Sequence, residues 1–243
     1  MDHITNKISD LVDEYSKKEE NNFKKIVPTL IKKGIDNVNL SMFSEERRKE
    51  LLEAVGDEFL RRGQKQDALK MYIKVNKKEK LNEIGKEFIK AGAFNSAIDA
   101  FKIAENKEML LKIGNKCLEE GHISEAIKAY EAINSKERLE SVGDYCLEKQ
   151  KLEYAFEVYR FLNNKEKLII TGNKAIKENE MKVAIQSFEA ANDKTKLNEL
   201  GDILLKQGML QAALKVYGQS GNQMMVEFIK ENFKDEPKIG TYL

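Results

Sequence analysis

The 243-residue sequence has no tryptophan, two prolines, two cysteines and two histidines. So little proline leaves long helices free to run unbroken. His3 and His122 are the only histidines, and no P-loop, GxGxxG or metal-ligand spacing occurs. Catalysis, a metal centre and a cofactor are therefore not expected. Neither charge is in excess: 42 Lys and Arg stand against 41 Asp and Glu, for a net charge of +1. A nucleic-acid binder ordinarily carries a basic surplus, because phosphate neutralisation supplies much of its affinity, so that class is disfavoured. No apolar run approaches the roughly 18 residues of a membrane-spanning helix. The opening MDHITNKISDLVDEYSKK lacks the apolar stretch of a secretory signal, and the chain is expected to be cytoplasmic or otherwise intracellular. With 41% hydrophobic and 34% charged residues, the composition is helix-rich and has enough apolar side chains for a core.

What the sequence does have is a period. Gly56, Gly85, Gly114, Gly143, Gly172 and Gly201 follow one another at steps of 29 residues. The same step links Leu52, Leu81, Leu110, Leu139, Leu168 and Leu197. It links Ala68, Ala97, Ala126, Ala155, Ala184 and Ala213, and then an aromatic column of Tyr72, Phe101, Tyr130, Tyr159, Phe188 and Tyr217. An unbroken period of this kind means a stacked array in which each unit buries its apolar face only against its neighbours. Cys117 and Cys146 occupy equivalent positions of adjacent units. Stacked helices lie about 8–10 Å apart, beyond the ~7 Å Cα separation that a disulfide spans, so both are expected to be buried free thiols.

Within one unit, Leu110, Ile113, Gly114, Cys117 and Leu118 fall on one helical face. Gly121, with Gly63, Gly92 and Gly208, is placed to close that helix in the left-handed conformation. A second stripe runs Ile123, Ala126, Ile127, Tyr130, Ile133, so the unit reads as a helix–turn–helix pair. Gly114 and Ala126 are expected where the two backbones approach closely. Asn76, Asn134 and Asn163 each stand three residues before a glutamate and resemble the first residue of a capping box.

This spacing resembles the tetratricopeptide repeat: Leu110, Ile113-Gly114, Cys117, Gly121, Ala126, Tyr130 and Ile133 carry it, and it covers residues 52–225 as six units. The family's tryptophan and second-helix proline are absent, and the unit has 29 residues where the family has 34. Shortened units also look like the α-solenoids of vesicle-coat and ciliary-transport subunits. The resemblance implies an all-α, right-handed α-solenoid of stacked antiparallel helix–turn–helix repeats. Residues 1–51 are expected to hold an amphipathic helix (Ile4, Ile8, Leu11, Val12, Tyr15) and a degenerate capping repeat containing Pro28. Residues 226–233 would form a closing helix, with Lys230 in the glycine column, and residues 234–243 a disordered tail.

In this family the first helices line a concave groove, so function is implied for the columns beside their apolar positions. After the Leu column come Glu53, Asn82, Leu111, Glu140, Ile169 and Asn198. After the glycines come Asp57, Lys86, Asn115, Asp144, Asn173 and Asp202. Both columns vary where the core columns repeat. Leu111 and Ile169, with Tyr145 and Ile203 nearby, would supply an apolar anchor for a helix or extended peptide, or would merely pack beneath neighbouring repeats. Leu111, Asn115, Asp144, Tyr145, Ile169, Asn173 and Ile203 are thus the candidate partner-binding residues. Asn115 alone matches the family's terminal-carboxylate clamp, and Asp144 would repel a carboxylate. Lys78, Lys107, Lys136, Lys165 and Lys194 form a further stripe, either paired with the glutamate column Glu50, Glu79, Glu108, Glu137 and Glu166 of adjacent units or open to an acidic ligand. The expected role is a non-catalytic scaffold or adaptor for a protein or peptide. The alternatives are an RNA-binding helical array and a self-assembling component that docks through its N-terminal helix.

Overall fold

The computed structural model describes residues 25–41 and 43–233. The expected amphipathic helix before residue 25 and the tail after 233 lie outside the described residues. Helix α1 covers residues 25–33, and a 3-10 turn, Ile35–Asn37, follows Gly34. Pro28 lies within α1.

Paired helices then succeed one another: α2 (Glu45–Arg61) and α3 (Lys65–Val75), α4 (Lys78–Lys90) and α5 (Phe94–Ile103), α6 (Lys107–Glu119) and α7 (Ile123–Ala132). The series continues with α8 (Lys136–Glu148) and α9 (Leu152–Phe161), α10 (Lys165–Lys177) and α11 (Met181–Ala191), α12 (Lys194–Lys206) and α13 (Leu210–Ser220), and then α14 (Gln223–Asn232). No strand occurs among the described residues. The fold is an all-α solenoid of helical hairpins, and it divides into two compact units between Ile113 and Gly114. In the first unit α3 packs on α4 as well as on its own partner α2; in the second, α7, α9 and α11 also pack on one another in sequence.

The periodic columns form the core. The six aromatics and six alanines are buried in every hairpin. The leucine column breaks only at its first member: Leu52 is half-buried, and Leu51 takes the fully buried place.

Both turns of each hairpin are closed by one left-handed residue. Between first and second helices this is Gly63, Gly92, Gly121, Gln150, Asn179 or Gly208, as the glycine pattern predicts for four of the six. Between one hairpin and the next it is Asn76, Glu105, Asn134, Asn163, Asn192 or Gly221. The expected capping box is therefore one residue out of register. Asn76, Asn134 and Asn163 end the preceding helix at φ of 51–52° and do not start the next. Where a side chain caps, it belongs to the residue after the left-handed one: Asn106, Asn164, Asp193 and Asn222 accept the third helical N–H of α6, α10, α12 and α14 at 3.0, 3.1, 3.0 and 3.2 Å. Lys77 and Ser135, which follow Asn76 and Asn134, make no such bond. Asparagine suits both tasks, since it tolerates the left-handed region and caps well. Sequence alone does not separate them.

Candidate functional site

The glycine column makes room for a ring. A Cβ built on Gly114 would stand 2.7 Å from the Tyr130 ring, and one on Gly172 2.5 Å from the Phe188 ring. The expected backbone approach at Gly114 is thus an approach of the second helix's aromatic to the first helix. Laid across the glycine, a tyrosine brings its hydroxyl to the next residue of that helix. Tyr72 donates to Asp57 at 2.8 Å, Tyr130 to Asn115 at 2.8 Å, Tyr159 to Asp144 at 2.6 Å and Tyr217 to Asp202 at 2.6 Å. Where the ring is Phe101 or Phe188 there is no hydroxyl, and the residue after the glycine is Lys86 or Asn173.

Lysines from the next first helix complete the arrangement in two places. Lys80 reaches Asp57 at 3.0 Å and Lys167 reaches Asp144 at 2.6 Å. Lys167 and, after it, the Tyr159 hydroxyl hold the Asp144 carboxyl below its ordinary pKa. Burial, with Asp144 second, raises that of Tyr159. Four members of the post-glycine column, Asp57, Asn115, Asp144 and Asp202, thus accept a tyrosine hydroxyl, while Asp57, Lys86, Asp144 and Asp202 remain exposed.

The column after the leucines behaves similarly. Lys77 donates to Glu53 at 2.6 Å, Asn106 to Asn82 at 2.6 Å and Asn222 to Asn198 at 3.0 Å. Each bond ties the residue that opens one first helix to the first helix before it. Leu111 and Ile169 interrupt this column with half-buried apolar side chains.

Of the predicted site residues, Leu111 and Asn115 lie on α6, Asp144 and Tyr145 on α8, Ile169 and Asn173 on α10, and Ile203 on α12. Leu111 belongs to the first unit and the other six to the second. Asn115, Ile169, Asn173 and Ile203 are half-buried and Asp144 is exposed. Tyr145 is 45% exposed and lines a cleft of about 400 Å³ between the α6–α7 hairpin and α8. Leu118, Ile123 and Val142 give that cleft apolar walls, and Arg138 and Lys151 give it positive charge. Sequence reasoning missed Arg138 and Lys151. The signal was a pairing at a step of 23 residues, from Asp57 to Lys80 and from Asp144 to Lys167, which at Asn115 and Arg138 lacks its carboxylate.

The lysine stripe sits at the first position of α4, α6, α8, α10 and α12. The expected pairing with the glutamate column is not made. Lys78 pairs with Glu105, a turn residue outside that column, and Glu108 pairs with Lys112 on its own helix at 2.6 Å. Among the described residues, Lys107, Lys136, Lys165 and Lys194 have no carboxylate within ion-pair distance.

Cys117 and Cys146 are buried free thiols, and burial pushes the pKa of each up to about 11, which suppresses the reactive thiolate. Among the described residues no group of three or more His, Cys, Asp or Glu is placed to hold a metal, and no helix is long and apolar enough to cross a membrane.

No family model and no curated protein matches the chain. Among solved structures it is similar to one described as a circular tandem repeat protein with novel repeat topology and enhanced subunit contact surfaces, with 12% identity, 90% of this chain covered and a TM-score of 0.14. This chain spans about half of that one (51%), and at such a TM-score the likeness carries no weight for function.

Proposed function

We propose that the chain is a non-catalytic interaction module, a tetratricopeptide-like array that holds a segment of a partner protein against its hairpins. One observation carries this reading. Tyr145 stands 45% exposed on α8, whose core positions Leu139, Val142 and Cys146 are already filled by buried side chains. A large, half-exposed aromatic beside a cleft is the kind of anchor that dominates protein recognition. Six units over residues 52–225, α14 as the closing helix, and an intracellular location belong to the same proposal.

The test is affinity capture from native lysate on immobilised wild-type chain and on Tyr145→Ser, with and without nuclease, read by mass spectrometry and nucleic-acid staining. The expected result is a protein that survives nuclease and is lost from Tyr145→Ser while the melting temperature stays unchanged. Retained RNA, with proteins released by nuclease, would overturn the reading in favour of a nucleic-acid-binding array. Equal capture by both chains would remove Tyr145 from the site.

A further inference from the structure

We propose that the cleft between the α6–α7 hairpin and α8 is a subsite for an acidic side chain carried beside an apolar one in the bound segment, with Arg138 as its ion-pairing group. The proposal rests on the peptide-binding reading and names the chemistry of what is bound.

Arg138 belongs to a column whose other members are Leu51, Lys80, Met109, Lys167, Lys196 and Met225, of which four are cations with Arg138 included. Lys80 and Lys167 pair with Asp57 and Asp144 of the preceding first helix, and Lys196 pairs with Glu199 on its own helix at 2.6 Å. Arg138 alone among these four cations has no carboxylate within ion-pair distance among the described residues. The reason is Asn115, which stands where Asp57 and Asp144 stand in their hairpins. Its Oδ1 accepts the Tyr130 hydroxyl, and its Nδ2 carries only donors, so it offers Arg138 no negative charge.

The surroundings favour an anion as well. Lys151 lines the same cleft, and no carboxylate does. Leu118, Ile123 and Val142, with the exposed face of Tyr145, offer an apolar surface to the neighbouring residue of the ligand. A guanidinium with a free fork matches a carboxylate in two hydrogen bonds at once. Charge and shape together therefore select a Glu or Asp side chain next to an aromatic or aliphatic one.

The test uses two blocked dipeptides, N-acetyl-Phe-Glu-amide and N-acetyl-Phe-Gln-amide, which share shape and lack a free terminal carboxylate. They are titrated at low salt into the full chain, followed by NMR of the Arg138 side-chain Nε–H and the Tyr145 amide. The glutamate peptide should shift both signals and bind about fivefold more tightly than the glutamine peptide. Arg138→Gln should erase that preference. Asn115→Asp should also erase it while raising the melting temperature, because the new carboxylate occupies Arg138 internally. Equal binding of the two peptides, a preference that persists in Asn115→Asp, or no shift at Arg138 would overturn the proposal. The outcome is separable from the interaction-module reading. A lysate partner captured equally by wild type and Arg138→Gln would sink the subsite alone. Glutamate-selective shifts at Arg138 without any captured protein would sink the module alone.

Discussion

Alanine in place of Gly172 would put a methyl group where the Phe188 ring already lies. The nearest ring carbons stand 2.5, 2.8 and 2.9 Å from the added Cβ, against about 3.5–4.0 Å for a relaxed carbon contact. Phe188 is fully buried, so the ring has no solvent-facing place to move into. Overpacking of this kind costs about 1–3 kcal/mol, and the better helix propensity of alanine returns up to about 1 kcal/mol. The net expectation is a loss of about 1–2 kcal/mol.

Gly218 supplies the opposite case on the same chain. It lies within α13, and a Cβ there would meet nothing within 4 Å. Only the propensity gain remains, so Gly218→Ala should stabilise by up to about 1 kcal/mol. Urea unfolding followed by far-ultraviolet circular dichroism reads both variants through the midpoint at unchanged slope. Phe188→Leu in the Gly172→Ala background closes a double-mutant cycle, and the coupling should be favourable, because the shorter side chain vacates the contested space. If Gly172→Ala matched or exceeded wild type in stability, the seat beneath the ring would have slack, and steric demand would not be the reason for the glycine column.

Three other expectations use the same measurement. Ser187 is fully buried on α11 with no hydrogen-bond partner for its Oγ among the described residues, and Ala100 and Ala129 occupy its place in other hairpins; Ser187→Ala should stabilise by about 1 kcal/mol. Gln150 holds φ 56° where four other hairpins use glycine. Relief of that left-handed strain is worth about 1–2 kcal/mol, less the flexibility that glycine adds to the unfolded chain and the exposed bond to Glu178, so Gln150→Gly should gain about 0.5 kcal/mol. For Asp144, the folded pKa lies below the unfolded one because Lys167 and Tyr159 stabilise the carboxylate. Its contribution is present above the unfolded carboxylate value of about 4 and is lost as pH falls through the folded pKa. Asp144→Asn should therefore lose less stability than wild type between pH 7 and pH 3, and an equal loss would remove Asp144 from the stabilising set.

The architecture was legible because each hairpin meets the same neighbours, so every core position must solve one packing problem repeatedly. Leu, Ala and ring columns at a single step can be read without knowing which helix faces which. The errors came where one residue type serves two physical ends. Asn134 both tolerates positive φ and is a good helix cap, so its pattern placed the helix start one residue early. The groove reading of Asp144 rests on the variation of its column between units; the structure adds that this exposed carboxylate accepts the Tyr159 hydroxyl and pairs with Lys167. A lysine at the head of α8 reads the same in sequence whether or not a carboxylate stands near it.

Site information in a chain of this kind lies away from the repeated columns. Six hairpins can share a fold only if their ring, seat and turn positions agree, and agreement of that sort says nothing about a partner. The ties between successive first helices are looser: an Asp with a Lys in one place, two asparagines in another. Each tie satisfies polar groups that would otherwise seek partners elsewhere. Where a tie is broken, as between Asn115 and Arg138, a charge is left available at the surface at no cost to the core, since the ring above Gly114 packs as its equivalents do. Departures from a column are thus better guides to binding than the column itself. Lys230 illustrates the converse on α14. It replaces the seat glycine where no second helix follows among the described residues, so no ring demands the space. That departure follows from packing alone, whereas Asn115 departs beneath a tyrosine whose hydroxyl would bond an aspartate equally well. Packing leaves Asn115 unexplained, and the unpaired Arg138 is its consequence.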